Sequence, residues 1–377
     1  MEIEIIVRPE IFSFEKNRKQ EISINQYYRN KVLSLGKWVS SKKIVYLDTK
    51  FWLILRDVSL SRDVSLDSKM LYDNIVALAK AEVCIFPISE DIFLEIIRQS
   101  DSSTLNETIR LIDLLSFSVS MIGFEERINL EYKYFTSHVE GKTLHDCSEL
   151  VWTKLFYTLG FIIPIIEGSI GRISQQEFID YTWSISMAKI ISTIKENGDT
   201  PPIKMRFCPD RMNDGKFKHA HENKSFKQMF LSELAGALDA YQEIFLNSII
   251  EMYESTTGMS INQSDIENPE FARPLMNMIY NVFRLNKDKN HFSTLRITSG
   301  LHAAVRWDTN QRFQENDYHD FRHAASAILY CDYFFTEKRL AHLVTQKITG
   351  YDKQYNCNVQ SSVYGANKVL SELLVLI

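Results

Sequence analysis

Four acids in this chain fall where a strand gives way to a helix, or just inside the helix that follows: Asp48, Glu95, Asp320 and Glu337. The stretch Asp317-Tyr-His-Asp320-Phe-Arg-His323 leads into an apolar series, Ala324, Ala327, Ile328 and Cys331, at helical spacing. Asp320 therefore sits in the first turn, where the helix dipole favours negative charge. Tyr333-Phe-Phe335 then reads as a short buried strand, which Thr336-Glu337 ends. Lys43 to Leu47 reads as another strand, with Asp48 at its end and a helix from Thr49 to Val58 after it. Val83 to Phe86 is a third, closed by Pro87; Ser89 caps the next helix, and Glu95 lies about two turns into it. Four carboxylates gathered in one place cannot all stay charged and unpaired near neutral pH. One or more takes up a proton, or a divalent cation neutralises them. Hard oxygen ligands of this kind suit Mg²⁺ or Mn²⁺.

A parallel sheet would bring these acids together. A helix that feeds a parallel strand runs antiparallel to it, so helix N-termini and strand C-termini share one edge. Open α/β sheets place their ligand sites at that edge. The pattern predicts an α/β fold with a parallel sheet flanked by helices, and a site assembled from both ends of the chain.

Three segments carry a family resemblance: Val45-Tyr-Leu-Asp48-Thr49, Pro87-Ile-Ser89 through Glu95, and Asp320-Phe-Arg-His323-Ala-Ala through Asp332-Tyr-Phe-Phe-Thr336-Glu337. Together, and in this order, they resemble the PIN domain of metal-dependent nucleases. The resemblance covers residues 41–140 and 300–377, under half of the chain. It implies a PIN-like parallel sheet flanked by helices, a cluster of acids holding one or two divalent ions, and hydrolysis of RNA, less often DNA, to 5′-phosphate products. Asp48, Glu95, Asp320 and Glu337 are the catalytic and metal-binding acids it implies. Two departures stand out. Lys50 occupies the place of the usual Asn, and Glu337 directly follows Thr336 where many members have an Asp one place later.

Other residues near the acids have two readings each. Asp317 completes a second metal site or caps the helix. Lys50 is a phosphate contact or a surface lysine, and Arg322, Lys338 and Arg339 are candidates for positioning phosphates. His319 and His323 lie one helical turn apart, as in HExxH zinc hydrolases, but an Asp follows His319 in place of the usual Glu. A zinc hydrolase is thus one alternative, and a group orienting a metal acid or a phosphate is the favoured role for His323. A non-catalytic module with a structural ion site is another. Asp332, which starts a strand, reads as structural.

The remaining chain is read as an N-terminal extension (1–40), the first part of the PIN-like domain (41–140), a large all-helical insertion (141–299) and the second part (300–377). The extension includes a strand over Ile3–Val7. In the first part, a helix from Asp67 to Ala81 turns Met70, Ile75, Leu78 and Ala79 inward, and Phe117 to Ile122 alternates as a strand of the sheet. In the insertion, Cys147 to Leu159, Gln175 to Lys195 and Phe226 to Tyr253 read as helices, broken at Asn197–Pro202 and ended at Gly258. Two basic clusters, Lys216 to Lys227 and Arg284 to Arg296, are phosphate tracks or ordinary solvated lysines, and the insertion is a candidate surface for a protein regulator. Tyr355 to Val359 reads as an edge strand and Ala366 to Ile377 as a closing helix. A hydrophobic content of 45% provides a core, and a net charge of −5 does not mark a nucleic-acid binder yet allows a local basic groove. Five cysteines without a CxxC pair argue against a zinc ribbon and fit a reducing cytoplasm. The first residues lack the pattern of a signal peptide, and the apolar run near Leu155–Ile166 is too short to span a bilayer.

Overall fold

Ile44 to Leu47 form an unbroken apolar run, and all four residues are buried, as a strand covered on both faces requires. They belong to β1 (Lys43–Leu47); the other strands among the described residues are β2 (Cys84–Ile85), β3 (Val119–Met121), β4 (Trp152–Lys154), β5 (Tyr333–Phe335) and β6 (Asn358–Gln360). The computed structural model describes residues 22–139, 145–166, 168–196, 208–222, 224–261, 272–287 and 291–375. The strand expected over Ile3–Val7, the break at Asn197–Pro202 and the final residues of the closing helix lie outside them.

Four strands make one parallel sheet in the order β2-β1-β5-β6. Its two central members come from opposite ends of the chain, in the register Val45–Tyr333, Tyr46–Phe334 and Leu47–Phe335. Asp332 helps to set that register: its Oδ2 accepts the Ile44 backbone N–H at 2.8 Å. Helices surround the sheet. Leu66–Lys80 packs against the closing helix Val363–Leu374, and Ser293–Trp307 packs against Asp317–Tyr330. On the first of these, Leu71, Ile75, Leu78 and Ala79 form the inward stripe, whereas Met70 is 43% exposed; the stripe is offset by one residue from the expected one.

Four expectations for the middle of the chain change. The strand expected near Phe117–Ile122 is β3, but it is not part of the parallel sheet. It pairs antiparallel with β4 and meets the end of β2's chain through a single parallel bridge, Ile88–Ser120. The stretch 147–159 is a helical turn, then β4, then another helical turn, because Trp152 and Thr153 are buried as ladder partners of Met121 and Ser120. The expected helix over 175–195 is two helices, Gly168–Ser184 and Met187–Glu196, with the second capped by the Asp113 carboxylate on Met187 N at 2.7 Å. The long pattern from Phe226 likewise divides at Tyr241 into Phe226–Ala240 and Gln242–Thr257, which Gly258 ends at a φ of 69°.

The middle helices reach the sheet's C-terminal edge. Pro209–Lys218 sends Lys216 Nζ to three backbone carbonyls, those of Val305 (2.7 Å), Asp308 (2.5 Å) and Gln311 (2.6 Å). Asn213 adds a paired contact with the Phe313 backbone, accepting at 2.9 Å and donating at 3.0 Å. The loop 308–316, which leads into Asp317–Tyr330, is therefore stapled from beneath. Removing a buried cation that satisfies three carbonyls leaves them without a donor. Lys216→Met is expected to cost on the order of 3 kcal/mol in urea unfolding; a loss below about 0.5 kcal/mol, the level of an ordinary surface change, would show that the loop does not depend on it.

Candidate metal centre

Asp48 lies one residue past the end of β1 and occupies the N-cap of helix Thr49–Ser59, yet its side chain makes no capping bond. Its carboxylate is thus not spent on the helix. The residue is only 4% exposed, its N–H donates to Phe335 O at 3.0 Å, and its Oδ2 accepts from Thr336 Oγ1 at 2.7 Å. Glu95 arrives from helix Glu90–Ile96, which Ser89 caps as expected. The Thr49 hydroxyl donates to Glu95 Oε2, and His323 Nε2 lies 3.2 Å from the same oxygen. One ligand atom each from Asp48, Glu95 and His323 all fall within 4.8 Å of one another, a spacing that can seat a metal ion.

The charges in this cluster answer each other. Burial alone would depress the His323 imidazole, but its hydrogen bond and attraction to Glu95, then the charges of Asp48 and Asp91, push its pKa up to about 9. Glu95 shows the complement: burial would raise it, and His323 and Thr49 hold it below the usual carboxylate value. Asp320, half-buried in the first turn of its helix, is pushed up to about 8, first by burial and next by the Asp48 charge, with Asp317 and Glu95 adding to it. Asp320 therefore feels the same cluster across the edge. Behind the imidazole, Tyr46 OH lies 2.7 Å from both His323 Nδ1 and Ser89 Oγ. A protonated His323 donates from Nδ1, so the Tyr46 hydroxyl passes its own proton toward Ser89. Loss of the Nε2 proton then leaves the tautomer with a lone pair facing the carboxylates.

The other expected residues take different places. β5 ends by turning Thr336 onto Asp48, and Glu337 is exposed at the N-cap of helix Lys338–Thr345; it lies outside the ligand group because successive residues of a strand face opposite ways. Asp317 is fully buried and engaged: Arg339 pairs with both its oxygens, 3.0 Å at Oδ2, and the Gln314 N–H donates to it at 2.9 Å. Arg339 also donates to Arg312 O at 2.9 Å, so it fixes the loop into the helix and does not reach outward. Arg322 is 7% exposed and bound to Asp91 (2.9 Å), Glu90 (2.7 Å) and Tyr318 OH (2.7 Å), above the Phe124 ring. It holds the two helices together and is not turned outward to meet a phosphate. Lys50 is half-buried with its ammonium 6.0 Å from the Phe51 ring, and Lys338 is exposed.

His319 and His323 do not converge. His319 Nδ1 is 3.0 Å from Asp91 Oδ1, whereas His323 faces Glu95. Two four-residue spacings match rung for rung, His319–Asp91 and His323–Glu95. The Asp91–Glu95 spacing was present in the sequence as the signal for this ladder. Ser89 was legible as a helix cap, but nothing in the sequence marked it, Tyr46, Thr49 or Thr336 as the hydroxyls that orient the cluster. No family model, curated protein or solved structure matches this chain.

The raised Asp320 and His323 values act on stability in one direction. The folded protein holds protons that the unfolded chain releases, on Asp320 from about 3.8 to about 8 and on His323 from about 6.5 to about 9. Stability without added metal is expected to be greatest at the acid end of that window and to fall as pH rises through it. Asp320→Asn removes the charge that must otherwise form beside Asp48, so at pH 8 its melting temperature should exceed the parent's. Equal melting temperatures for the two proteins across pH 5 to 9 would contradict the coupling of Asp320 to the cluster.

Proposed function

We propose that the C-terminal edge of the parallel sheet binds a divalent cation and that the chain is a metal-dependent nuclease hydrolysing phosphodiester bonds of RNA. The observation that supports this most is the convergence of Asp48, Glu95 and His323 within 4.8 Å, with Asp320 electrostatically coupled to them. Such carboxylates at one sheet edge, in the order of the PIN resemblance, suit the recognition of a metal–phosphate pair. The imidazole shifts the preference among hard cations from Mg²⁺ toward Mn²⁺, since nitrogen suits softer ions. When bound, the cation supplies an acidified water and a counter-charge for the phosphodiester.

The protein's own groups do the rest. Thr336 and Thr49 orient Asp48 and Glu95 by donating to one oxygen of each, which leaves the other oxygen to face the ion. Tyr46 fixes the His323 ring. Asp48, Glu95 and His323 would hold the cation, and with it bound His323 would give up its Nε2 proton and Asp320 its carboxyl proton, so affinity would rise with pH. Asp320, ionised, is the base at the rim of the cluster, and Lys50 and Lys338 are the cations at this edge for the phosphates. The five cysteines carry no disulfide, which fits a reducing, cytoplasmic setting, and no helix among the described residues is long and apolar enough to cross a membrane.

One observation favours a second reading, a non-catalytic module: a protonated His323, 3.2 Å from Glu95, is itself a counter-charge for that carboxylate. Cleavage assays separate the two. Asp48→Asn and Asp320→Asn should each lower Mn²⁺-dependent cleavage of single-stranded RNA more than about 100-fold, beyond the 10–100-fold range of residues that only orient a ligand. Parent-like cleavage by both variants would rule out this centre as the active site. Mn²⁺ should also raise the parent's melting temperature more at pH 8 than at pH 6, and leave that of Asp48→Asn nearly unmoved.

A further inference from the structure

Helix Ser293–Trp307 ends, and helix Asp317–Tyr330 begins, on the same side of the molecule, because the two are packed together and joined by the loop 308–316. That side is the C-terminal edge of the sheet, since Asp317–Tyr330 feeds β5. Here a shallow cleft of about 210 Å³ opens between Phe217, Ala220, Met229, Trp307 and Thr309. It is smaller than the roughly 300 Å³ at which sites for whole small molecules begin, and of a size for one planar ring. Phe217 is 55% exposed and Trp307 is 41% exposed, whereas most aromatic rings of this chain lie in its core.

Cations surround the two rings. The Arg312 guanidinium lies over Phe217, 5.5 Å from the ring centroid. Arg306 and Lys216 line the cleft, no carboxylate among the described residues lines it, and Lys218 is exposed next to Phe217. Lys216 and Arg306 have structural partners, the loop carbonyls and Glu233, so their charge is fixed in place and their side chains do not swing away. Glu233, which offsets the Arg306 charge, and Asp308 are the acids beside it, and Asp308 is turned to the Asn310 N–H at 2.9 Å. Two exposed aromatic faces interleaved with positive charge match a single-stranded nucleic acid, whose bases stack and whose phosphates need cations. A folded protein partner would more often meet an apolar centre with a charged rim.

We propose that Phe217 and Trp307, with Arg312 and Lys218, form a stacking platform for a base of single-stranded RNA that extends from the metal centre. The inference rests on the nuclease reading for its substrate and deepens it: the middle helices of the chain choose single strands over duplex. The link to the centre runs through two side-chain contacts. Arg312 O is held by Arg339, which is paired with Asp317 at the start of the helix that carries Asp320. A strand seated on the platform is thus led along the loop toward Asp320.

Binding of a short labelled single-stranded RNA and of its duplex to the full chain, in EDTA so that no cleavage occurs, tests this. Phe217→Ala and Trp307→Ala should each weaken single-strand binding at least about fivefold, with duplex binding unchanged. Phe217→Tyr and Trp307→Phe should restore most of it, and Arg312→Ala should lower the salt slope by about 1. Melting temperatures equal to the parent's would show that the exposed rings are not needed for folding. Unchanged single-strand binding by both alanine variants overturns the platform, as does a parent that binds no RNA or a loss shared equally by duplex. Cleavage that persists while the alanine variants bind normally sinks the platform alone. Platform-dependent binding by a parent that never cleaves sinks the nuclease reading alone.

Discussion

The pairing of β1 with β5 is the constraint on which the rest depends. Three residues from near residue 45 lie beside three from near residue 334, and Asp332 pins the start of the register through the Ile44 N–H. A parallel pair cannot be closed by a tight turn, so the chain between them must cross over, and here residues 48–332 do so, mostly as helices among the described residues, with β2, β3 and β4 on the way. The gain is geometric. The residue after each strand end is set against its counterpart, and Thr336 donates to Asp48 because both strands stop in step. A slip of one residue would turn Thr336 away and bring a side chain of the opposite face into its place.

The cluster at this edge is balanced by a proton. Two carboxylates and an imidazole share a small buried volume, with a third carboxyl at its rim, and the imidazole is charged because the acids around it outweigh the cost of burying it. A cation bound here would compete with that proton for the same negative field. The arrangement is costly if it only holds the fold together, since replacing a buried ion pair by apolar side chains is often neutral or stabilising. The neighbouring network of Arg322, Asp91, Glu90 and His319 is different in kind: every group there is hydrogen-bonded or ion-paired to another, and it joins helices Glu90–Ile96 and Asp317–Tyr330 as a wall behind the cluster.

The middle of the chain reaches the centre through backbone. Lys216 and Asn213 grip the loop 308–316 by its carbonyls and one N–H, and Arg339 grips it from the other side through Arg312 O. Loops that lead into a functional helix are usually its most mobile neighbours. This one is held at four residues, Asp308, Gln311, Arg312 and Phe313, so the aromatic rings at its base keep a fixed place relative to the start of the helix that carries Asp320.

Local pattern determined a good deal by itself. The run Lys43–Leu47, the aromatic strand at Tyr333–Phe335, the Ser89 cap and the helix from Asp317 were legible because each rests on neighbours within a few residues: unbroken hydrophobicity, a cap, a change of period. So were Asp48, Glu95 and Asp320 as acids at element ends. The break at Tyr241 and the strand at Trp152–Lys154 were hidden, since amphipathic spacing runs through Tyr241 without interruption and β4 exists only because β3 offers it an antiparallel partner. The same holds within the centre. Sequence could place Glu337, Asp317 and Arg322 near the edge, but which side chains face the cluster depends on strand register and on competing partners: Glu337 turns out, Asp317 is taken by Arg339, Arg322 by Asp91, and His323 turns in. Composition and periodicity decide which segments become strands and helices, because those energies are local. Tertiary structure alone decides which charges meet, because their energy depends on distance and burial across hundreds of residues.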